Sequence, residues 1–241
     1  MNASAYALTY GLRRTRTTLA AWRRDPAPVL GRWLAGSALA AVGLLLGVWA
    51  LAYLLHPGAQ ILQVRPPFVV GGPRDVLGVL RRNALVLALH AMACVAGFMA
   101  GSSLPLQASA HRGAARWVHE HGGRLAIAFV VGATTFSLGA QAFLLGRTLA
   151  GLARYLEVSP GLLLAAVLPH AVPELIALFL PLAAWILASR RGEWDQLLAA
   201  TLVTVAVAVP MLIAAALVEV YVSPHLFLAL TGIRPPIVRP W

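Results

Sequence analysis

The sequence predicts an all-α membrane protein, a polytopic bundle of about five transmembrane helices. Of its 241 residues, 60% are hydrophobic and 11% are charged, and the mean hydropathy of +0.78 is far above that of soluble globular proteins. Five apolar stretches reach the length of about 20 residues that a helix needs to cross a bilayer. They are Trp33 to Leu55, Ala84 to Leu106, Leu125 to Gly146, Gly161 to Ala188 and Leu197 to Val222. One membrane domain, residues 33–226, accounts for all five.

Residues 1–32, before the first span, are predicted to form a cytoplasmic segment. From Ser4 to Trp22, apolar residues alternate with arginines, a pattern typical of a helix that lies at the membrane interface. Pro26 and Pro28 are expected to end that helix. The segment lacks a short apolar core followed by a small-residue cleavage site, so we expect the mature protein to keep its N-terminus.

Two further segments are predicted to lie outside the membrane. His56 to Arg82 contains four prolines and two adjacent glycines, which indicate a loop without long regular structure. Residues 227–241 are predicted to form a C-terminal tail, extended from Thr231 to Trp241 because of its three prolines.

All 19 basic residues are arginine, and the net charge is +11. The arginines are scattered through the polar connections and are not interleaved with stacking aromatic residues, so we expect the partner to be the lipid bilayer and not nucleic acid. With the N-terminus inside, eleven of the 19 arginines fall on the cytoplasmic side of the membrane and eight on the opposite side, which favours a cytoplasmic N-terminus in a bacterial inner membrane. Cys94 is the only cysteine, so the chain cannot form an internal disulfide.

Small residues recur at spacings of four or seven in the first three spans. Each set therefore lies on one helical face, which allows the close helix contacts that hold membrane bundles together. A homodimer through one surplus face is an alternative use of the same pattern. The sets are Gly36, Gly43 and Gly47; Ala93, Gly97 and Gly101; and Gly132, Gly139 and Gly146.

The fourth span carries the most informative polar residues. Pro169 and Pro173 each remove a backbone donor and disfavour helical geometry in the preceding residue, so we expect the helix to be broken between them. His170 and Glu174 are four residues apart and can meet whether the helix is broken or continuous. Ionisable residues at membrane depth usually face a bundle interior or an aqueous path.

The stripe that contains His170 and Glu174 and the stripe that ends at Glu219 in the last span are both small and polar, so both are predicted to face the bundle interior. His90 in the second span and Gln141 in the third are candidate hydrogen-bond partners there. The inward stripes are Leu163, Ala166, His170, Glu174, Ala177, Pro181 and Ala184, and Thr201, Thr204, Ala208, Leu212, Ala215 and Glu219.

Three uses of this polar core remain open. The groups can bond each other and fix packing only. His170 and Glu174 can relay protons in a small transporter or channel subunit, or they can join a third ligand to hold zinc in an intramembrane hydrolase. No zinc-peptidase, nucleophile-elbow or phosphate-loop motif is present, so we expect no enzyme activity and no cofactor.

From Asn83 onward the chain resembles the stage II sporulation protein M family of bacterial integral membrane proteins. The resemblance covers about residues 80 to 226 and rests on three pieces: Arg82-Asn83 with the later pair Gly97 and Gly101, Leu168 to Ala177 with its Pro-His and Glu, and Ala214 to Pro224 with Glu219. Where a glycine often follows the Pro-His pair in the family, this chain has Ala171.

The resemblance implies five spans and a role in the cell envelope. Family members that act in sporulation belong to a membrane complex with wall-degrading partners, and relatives also occur in bacteria that never sporulate. We therefore expect a non-enzymatic scaffold or regulator with membrane or envelope protein partners. Its candidate polar core is Pro169, His170, Pro173, Glu174, Glu219, Asn83, His90 and Gln141.

Overall fold

The computed structural model describes residues 3–55 and 71–233, and within them the chain is helical and contains no strand. Single turns of π-helix or 3-10 helix connect several of the longer helices. Eight α-helices follow in chain order: α1 Ala3–Arg24, α2 Ala27–Leu54, α3 Pro73–Phe98, α4 Leu104–Gln107, α5 Gly113–Tyr155, α6 Pro160–Arg190, α7 Leu197–Leu217 and α8 Ser223–Thr231.

Five helical segments within the described residues are long and apolar enough to cross a membrane. Each overlaps one of the five stretches that the sequence predicts, and the all-α polytopic bundle is confirmed. The protein is therefore a multi-pass membrane protein. The segments are Ala27–Leu54, Pro73–Ser102, Gly113–Tyr155, Pro160–Arg190 and Trp194–Thr231.

The predicted boundaries are wrong in two places. Residues 73–82, expected to belong to the loop, form the first turns of α3, where Pro73 occupies the first helical position and needs no amide donor. Residues 223–231 form α8, so the tail starts later than predicted; α8 ends at Gly232, whose φ of 71° suits a residue without a Cβ. Residues 56–70 of the predicted loop and 234–241 of the tail lie outside the described residues.

The break that was predicted in the fourth span is also wrong, because α6 is continuous from Pro160 to Arg190. Pro169 and Pro173 are one turn apart, so the two missing amide donors fall on one side of the helix while the other sides keep their hydrogen bonds. Long regular segments on both sides of the prolines support this geometry, as membrane helices allow.

Near the N-terminus, α1 ends before Pro26 as predicted, and Pro28 lies in the first turn of α2.

The chain divides into two compact units, and each takes a segment from all five long helices. The first unit contains Met1–Ser37, Leu85–Thr134 and Ala177–Ala208. Its core is built around Trp185, which is 1% exposed and packs with Cys94, Phe98 and Leu197. A second group, centred on Trp33, Leu180 and Ala200, joins α1, α2, α6 and α7. Burial of these apolar groups holds the segments together.

The second unit contains Ala38–Ala84, Thr135–Ile176 and Val209–Trp241. Leu163 and Ala166 of α6 pack with Leu152 of α5 and Phe227 of α8. Val79 of α3 packs with Ala216 and Val220 near the end of the last span. The second unit therefore brings the polar part of α6 next to α3 and to the segment that follows α7.

Candidate functional site

His170 is half-buried on α6, within the second unit. Its Nδ1 is hydrogen-bonded to the hydroxyl of Ser223 at 2.7 Å, and Ser223 is the first residue of α8 and is buried. Because the bond joins residues 53 positions apart in sequence, it fixes the imidazole toward the segment after α7. The predicted inward orientation of His170 is confirmed.

Glu174 lies one turn after His170 and forms the centre of an electrostatic cluster. The carboxyl group of Glu219, the side chain of Asn83 and the guanidinium group of Arg82 lie near enough to influence its carboxyl group electrostatically. The buried Nδ2 of Asn83 has no hydrogen-bond partner in the described part of the chain. Glu219 also interacts with Arg82. Two carboxyl groups repel each other when both are ionised, so one nearby guanidinium group lowers the cost of holding them at membrane depth.

Local backbone structure places Glu219 in this cluster. The turn from Val218 to Val222 is π-helical, which inserts one extra residue per turn between α7 and α8. Turns of this type are frequent at functional sites in membrane and soluble helices. The π-turn therefore determines both the direction of Glu219 and the position of Ser223 at the start of α8.

The polar cluster borders a cavity of about 310 Å³ in the second unit. His170, Glu174 and Glu219 contribute the ionisable groups of its wall, and Thr148 of α5 adds a hydroxyl group. The rest of the wall is apolar and comes from α2, α5 and α6: Leu44, Leu45, Val48, Leu145, Leu149, Leu152, Leu163, Leu164, Val167, Ala171 and Leu175. An apolar cavity with a few polar groups at one side is the usual form of a small-molecule site.

The inward stripes are confirmed along both helices. Leu163, Ala166 and Ala184 of α6 and Thr204 and Ala208 of α7 are completely buried. Leu212 and Ala215 are buried as well. Thr201, His170, Glu174 and Glu219 are the partly buried members of the same stripes, and the last three line the cavity.

His90 does not join the cluster. It lies in the first unit, where its Nδ1–H donates to the carbonyl oxygen of Leu178 on α6 at 2.7 Å. One turn later, the thiol of Cys94 donates to the carbonyl oxygen of Pro181 at 3.2 Å. Both bonds satisfy polar side chains against the α6 backbone beside Pro181, the fourth proline of that helix, so His90 has a packing role.

Gln141 also lies apart from the cluster. It is exposed on α5, and its Nε2 donates to the hydroxyl of Ser137 at 2.9 Å, within the same helix. The prediction that it supplies a partner to the α6 stripe is wrong because the interior side of α5 in that region is formed by other residues, among them Leu138 and Ala142.

Sequence analysis did not assign Arg82 and Ser223 to the site. Arg82 precedes Asn83, and Ser223 is four residues after Glu219, so both were in motifs already recognised. For Ser223, the available signal was its spacing of four residues from Glu219. The signal for Arg82 was weaker, since an arginine next to a predicted loop is ordinarily assigned to lipid headgroups.

Comparison with known protein families shows which family this chain resembles. The family model of Stage II sporulation protein M matches residues 117–224, just under half of the chain. Over this segment the chain is similar to the stage II sporulation protein M family. Comparison with curated proteins and with solved structures gave no significant match.

The stage II sporulation protein M segment includes most of the cluster. His170, Glu174 and Glu219 lie inside it, as do Pro169 and Pro173. Asn83, Arg82 and the pair Gly97 and Gly101 precede it, so the resemblance proposed for residues 80–116 remains a prediction.

The zinc hypothesis requires a third ligand beside His170 and Glu174. Within residues 3–55 and 71–233, no three His, Cys, Asp or Glu side chains are grouped so that they could hold a metal ion. What the structure shows instead is that His170, Glu174 and Glu219 line one cavity.

Proposed function

We propose that this protein is a non-enzymatic scaffold or regulator that binds membrane partners of a cell-envelope or peptidoglycan-related complex in the bacterial cytoplasmic membrane, with its N-terminus in the cytoplasm. The match of residues 117–224 to the stage II sporulation protein M family supports an envelope role. The observation that carries the proposal is the exposed surface of α5.

No residue in the most apolar 18-residue window of α5 is buried within the chain. Near the middle of that helix, Ser137 and Gln141 are exposed on adjacent turns and bond only to each other in the described part of the chain. The bond uses one amide hydrogen of Gln141 and leaves its second amide hydrogen and its carbonyl oxygen for another partner. Facing lipid, these groups would stay unsatisfied at a cost of several kcal/mol per group.

A transmembrane helix of another envelope protein, with a hydrogen-bonding side chain at matching depth, removes that cost. Amide and hydroxyl side chains bond across membrane helices in this way. The occupant that we propose for the α5 surface is therefore a partner helix that presents such a side chain to Ser137 and Gln141. A second copy of this chain is the alternative that the test must separate.

Site-specific photocrosslinking in the native membrane tests this proposal. A photoreactive residue at Gln141 should give one defined adduct with a different membrane or envelope protein. With the photoreactive residue instead at Leu144, an exposed side chain three residues after Gln141 on the same face, the combined change Ser137→Leu and Gln141→Leu should lower the adduct yield about fivefold or more, since interhelical hydrogen bonds contribute about 1 kcal/mol. The matched control is Phe136→Leu, an exposed α5 side chain on another face.

Three outcomes contradict the scaffold proposal. An adduct between two copies of the chain would assign the surface to a homodimer. No adduct at all would leave α5 facing lipid. Equal loss of the adduct in Phe136→Leu would show that the polar pair has no specific role.

The cavity beside Glu174 favours a second candidate, a small proton-coupled transporter or channel subunit. Its ionisable wall groups are His170, Glu174 and Glu219, with Arg82 and Asn83 next to the carboxyl groups. A carboxyl group near a second carboxyl group in a partly apolar cavity is suited to exchange protons with a bound molecule.

Glu174→Gln separates the two candidates because it keeps the shape of the side chain and removes its charge. A scaffold should retain its α5 adduct at the wild-type level. A transporter should lose pH-dependent flux in proteoliposomes, by tenfold or more if Glu174 carries the proton. Glu120→Gln is the control, since Glu120 is exposed and pairs with Arg116 on the surface of α5. Unchanged flux in Glu174→Gln would contradict the transporter candidate.

A further inference from the structure

The first unit contains a second cavity, of about 240 Å³, where the start of α2 meets the end of α6. Its lining residues belong to a different unit from the Glu174 cluster, and the proposed function does not use it. The side chains that give it its chemistry are Trp22, Arg32, Trp33, Arg191, Glu193 and Gln196.

Two guanidinium groups line this cavity from different elements. Arg32 lies in the second turn of α2, and Arg191 directly follows α6. The elements are held together by the apolar cluster of Trp33 and Leu180, against which Leu30 and Leu187 pack. Neither guanidinium group has a carboxylate within ion-pair distance in the part of the chain that the structure describes. Two such groups on one cavity suit an oxyanion, because guanidinium groups bind phosphate oxygens in a fixed fork geometry.

The tryptophans give the cavity an amphipathic wall. Trp22 and Trp33 meet edge to face, with ring centroids 5.1 Å apart and planes at 82°. Trp33 is buried, and Trp22 of α1 is half-buried. Tryptophan is enriched at the level of lipid headgroups because its ring has an apolar body and a polar N–H. The first candidate span begins at Ala27 and the fourth ends at Arg190, so the cavity lies at a membrane boundary.

We propose that this cavity binds the headgroup of one anionic glycerophospholipid with a hydroxylated headgroup, of the phosphatidylglycerol type. Arg32 and Arg191 bind the phosphodiester, and the tryptophan pair packs against the glycerol and the first methylenes of the acyl chains. Glu193 and Gln196 accept hydrogen bonds from the headgroup hydroxyls.

The charge of the cavity supports a lipid phosphodiester over free phosphate. Two arginines and one glutamate leave one positive charge, which one phosphodiester neutralises. Inorganic phosphate carries more negative charge at neutral pH than the net positive charge of these three residues neutralises.

Native mass spectrometry of the full-length protein, purified in detergent, can measure this binding with three added probes. These are phosphatidylglycerol, phosphatidylcholine of the same chain length, and inorganic phosphate. The wild-type protein should retain one phosphatidylglycerol more tightly than either other probe. Arg32→Gln with Arg191→Gln should weaken phosphatidylglycerol binding about thirtyfold, since each arginine near an anionic surface contributes about fivefold.

Arg190→Gln is the matched control, because Arg190 is the neighbouring arginine at the end of α6 and does not line the cavity. It should change affinity by less than twofold. The single variants Arg32→Gln and Arg191→Gln, each about fivefold weaker, keep the test valid if the double variant does not fold.

The proposal is overturned if the double variant, or both single variants, bind phosphatidylglycerol like the wild type. It is also overturned if phosphatidylcholine or inorganic phosphate binds as tightly as phosphatidylglycerol. An equal loss of affinity in Arg190→Gln would show diffuse attraction by the basic surface and would contradict a specific site.

Discussion

Replacing Gly97 with alanine should lower the free energy of unfolding by about 2 kcal/mol. A Cβ at this position would overlap the indole Nε1 of Trp185 and would lie 3.0 Å from Cδ1 of Leu197. Trp185 is 1% exposed and is packed on several sides, so the ring cannot move away without displacing its neighbours. Thermal unfolding in detergent, followed by intrinsic fluorescence or by size-exclusion chromatography after heating, measures the loss.

Gly132→Ala is the matched control for this change. A Cβ at Gly132 would meet nothing within 4 Å, and alanine favours the helix by up to about 1 kcal/mol over glycine. Stability should therefore stay the same or rise. An equal loss of stability in both variants would contradict the assignment of Gly97 to a tight contact.

The contact between Gly97 and Trp185 can be tested directly with a double-mutant cycle. Trp185→Phe removes the indole nitrogen that a Cβ at position 97 would meet. That nitrogen has no hydrogen-bond acceptor in the described part of the chain, so the aromatic exchange leaves no acceptor unsatisfied. In the Trp185→Phe background, Gly97→Ala should cost about 1 kcal/mol less than in the wild type. Strictly additive costs would show that the two positions do not meet.

Gly146→Ala should also cost about 2 to 3 kcal/mol, for a different physical reason. A Cβ there would lie 2.7 Å from Cβ of Leu51 and 3.0 Å from the backbone oxygen of Val48, both on α2. Backbone atoms and a Cβ cannot rotate away as the end of a flexible side chain can, so α2 and α5 would have to separate in the second unit. Because the cavity beside Glu174 has walls from both helices, the same change should alter its shape.

Gly139→Ala provides the comparison for Gly146→Ala, since Gly139 precedes Gly146 by two turns on the same helix and has open space around it. Thermal unfolding of the two variants under identical conditions should differ by 5 °C or more if they unfold like a domain of about 150 to 250 residues. Equal unfolding temperatures would contradict the close approach of α2 and α5.

The glycine pattern illustrates the limit of sequence analysis for this bundle. Spacings of four and seven correctly place Gly97, Gly101 and Gly146 on packing faces, where a Cβ would meet Trp185, Trp194 and the α2 backbone respectively. The same spacings place Gly132 and Gly139 on faces that are open within the chain. Periodicity shows which residues share a face, but the partner that covers that face is determined elsewhere in the sequence.

Sequence analysis was likewise correct for some of the polar residues and wrong for others. The inward orientation of the His170 and Glu174 stripe follows from small and polar residues at helical spacing, a local property of α6 that lipid would not tolerate outside. The prediction that His90 and Gln141 contact that stripe is wrong. Which way these two side chains face depends on how α3 and α5 are oriented about their own axes, and all the contacts of those helices together determine that orientation. Arg82 and Ser223 reach the cluster through the longer α3 and the π-turn, features that apolar length alone does not reveal.

The sequence by itself determined the number of apolar segments, the all-α class and the two inward stripes, because hydrophobic length and helical periodicity are properties of each segment alone. Only the tertiary structure decided that α6 continues through Pro169 and Pro173 and that Glu174 meets Glu219, Asn83 and Arg82. It also decided that α5 keeps Ser137 and Gln141 on its surface. These features depend on how neighbouring helices satisfy backbone and side-chain groups, and a single segment carries no record of its neighbours.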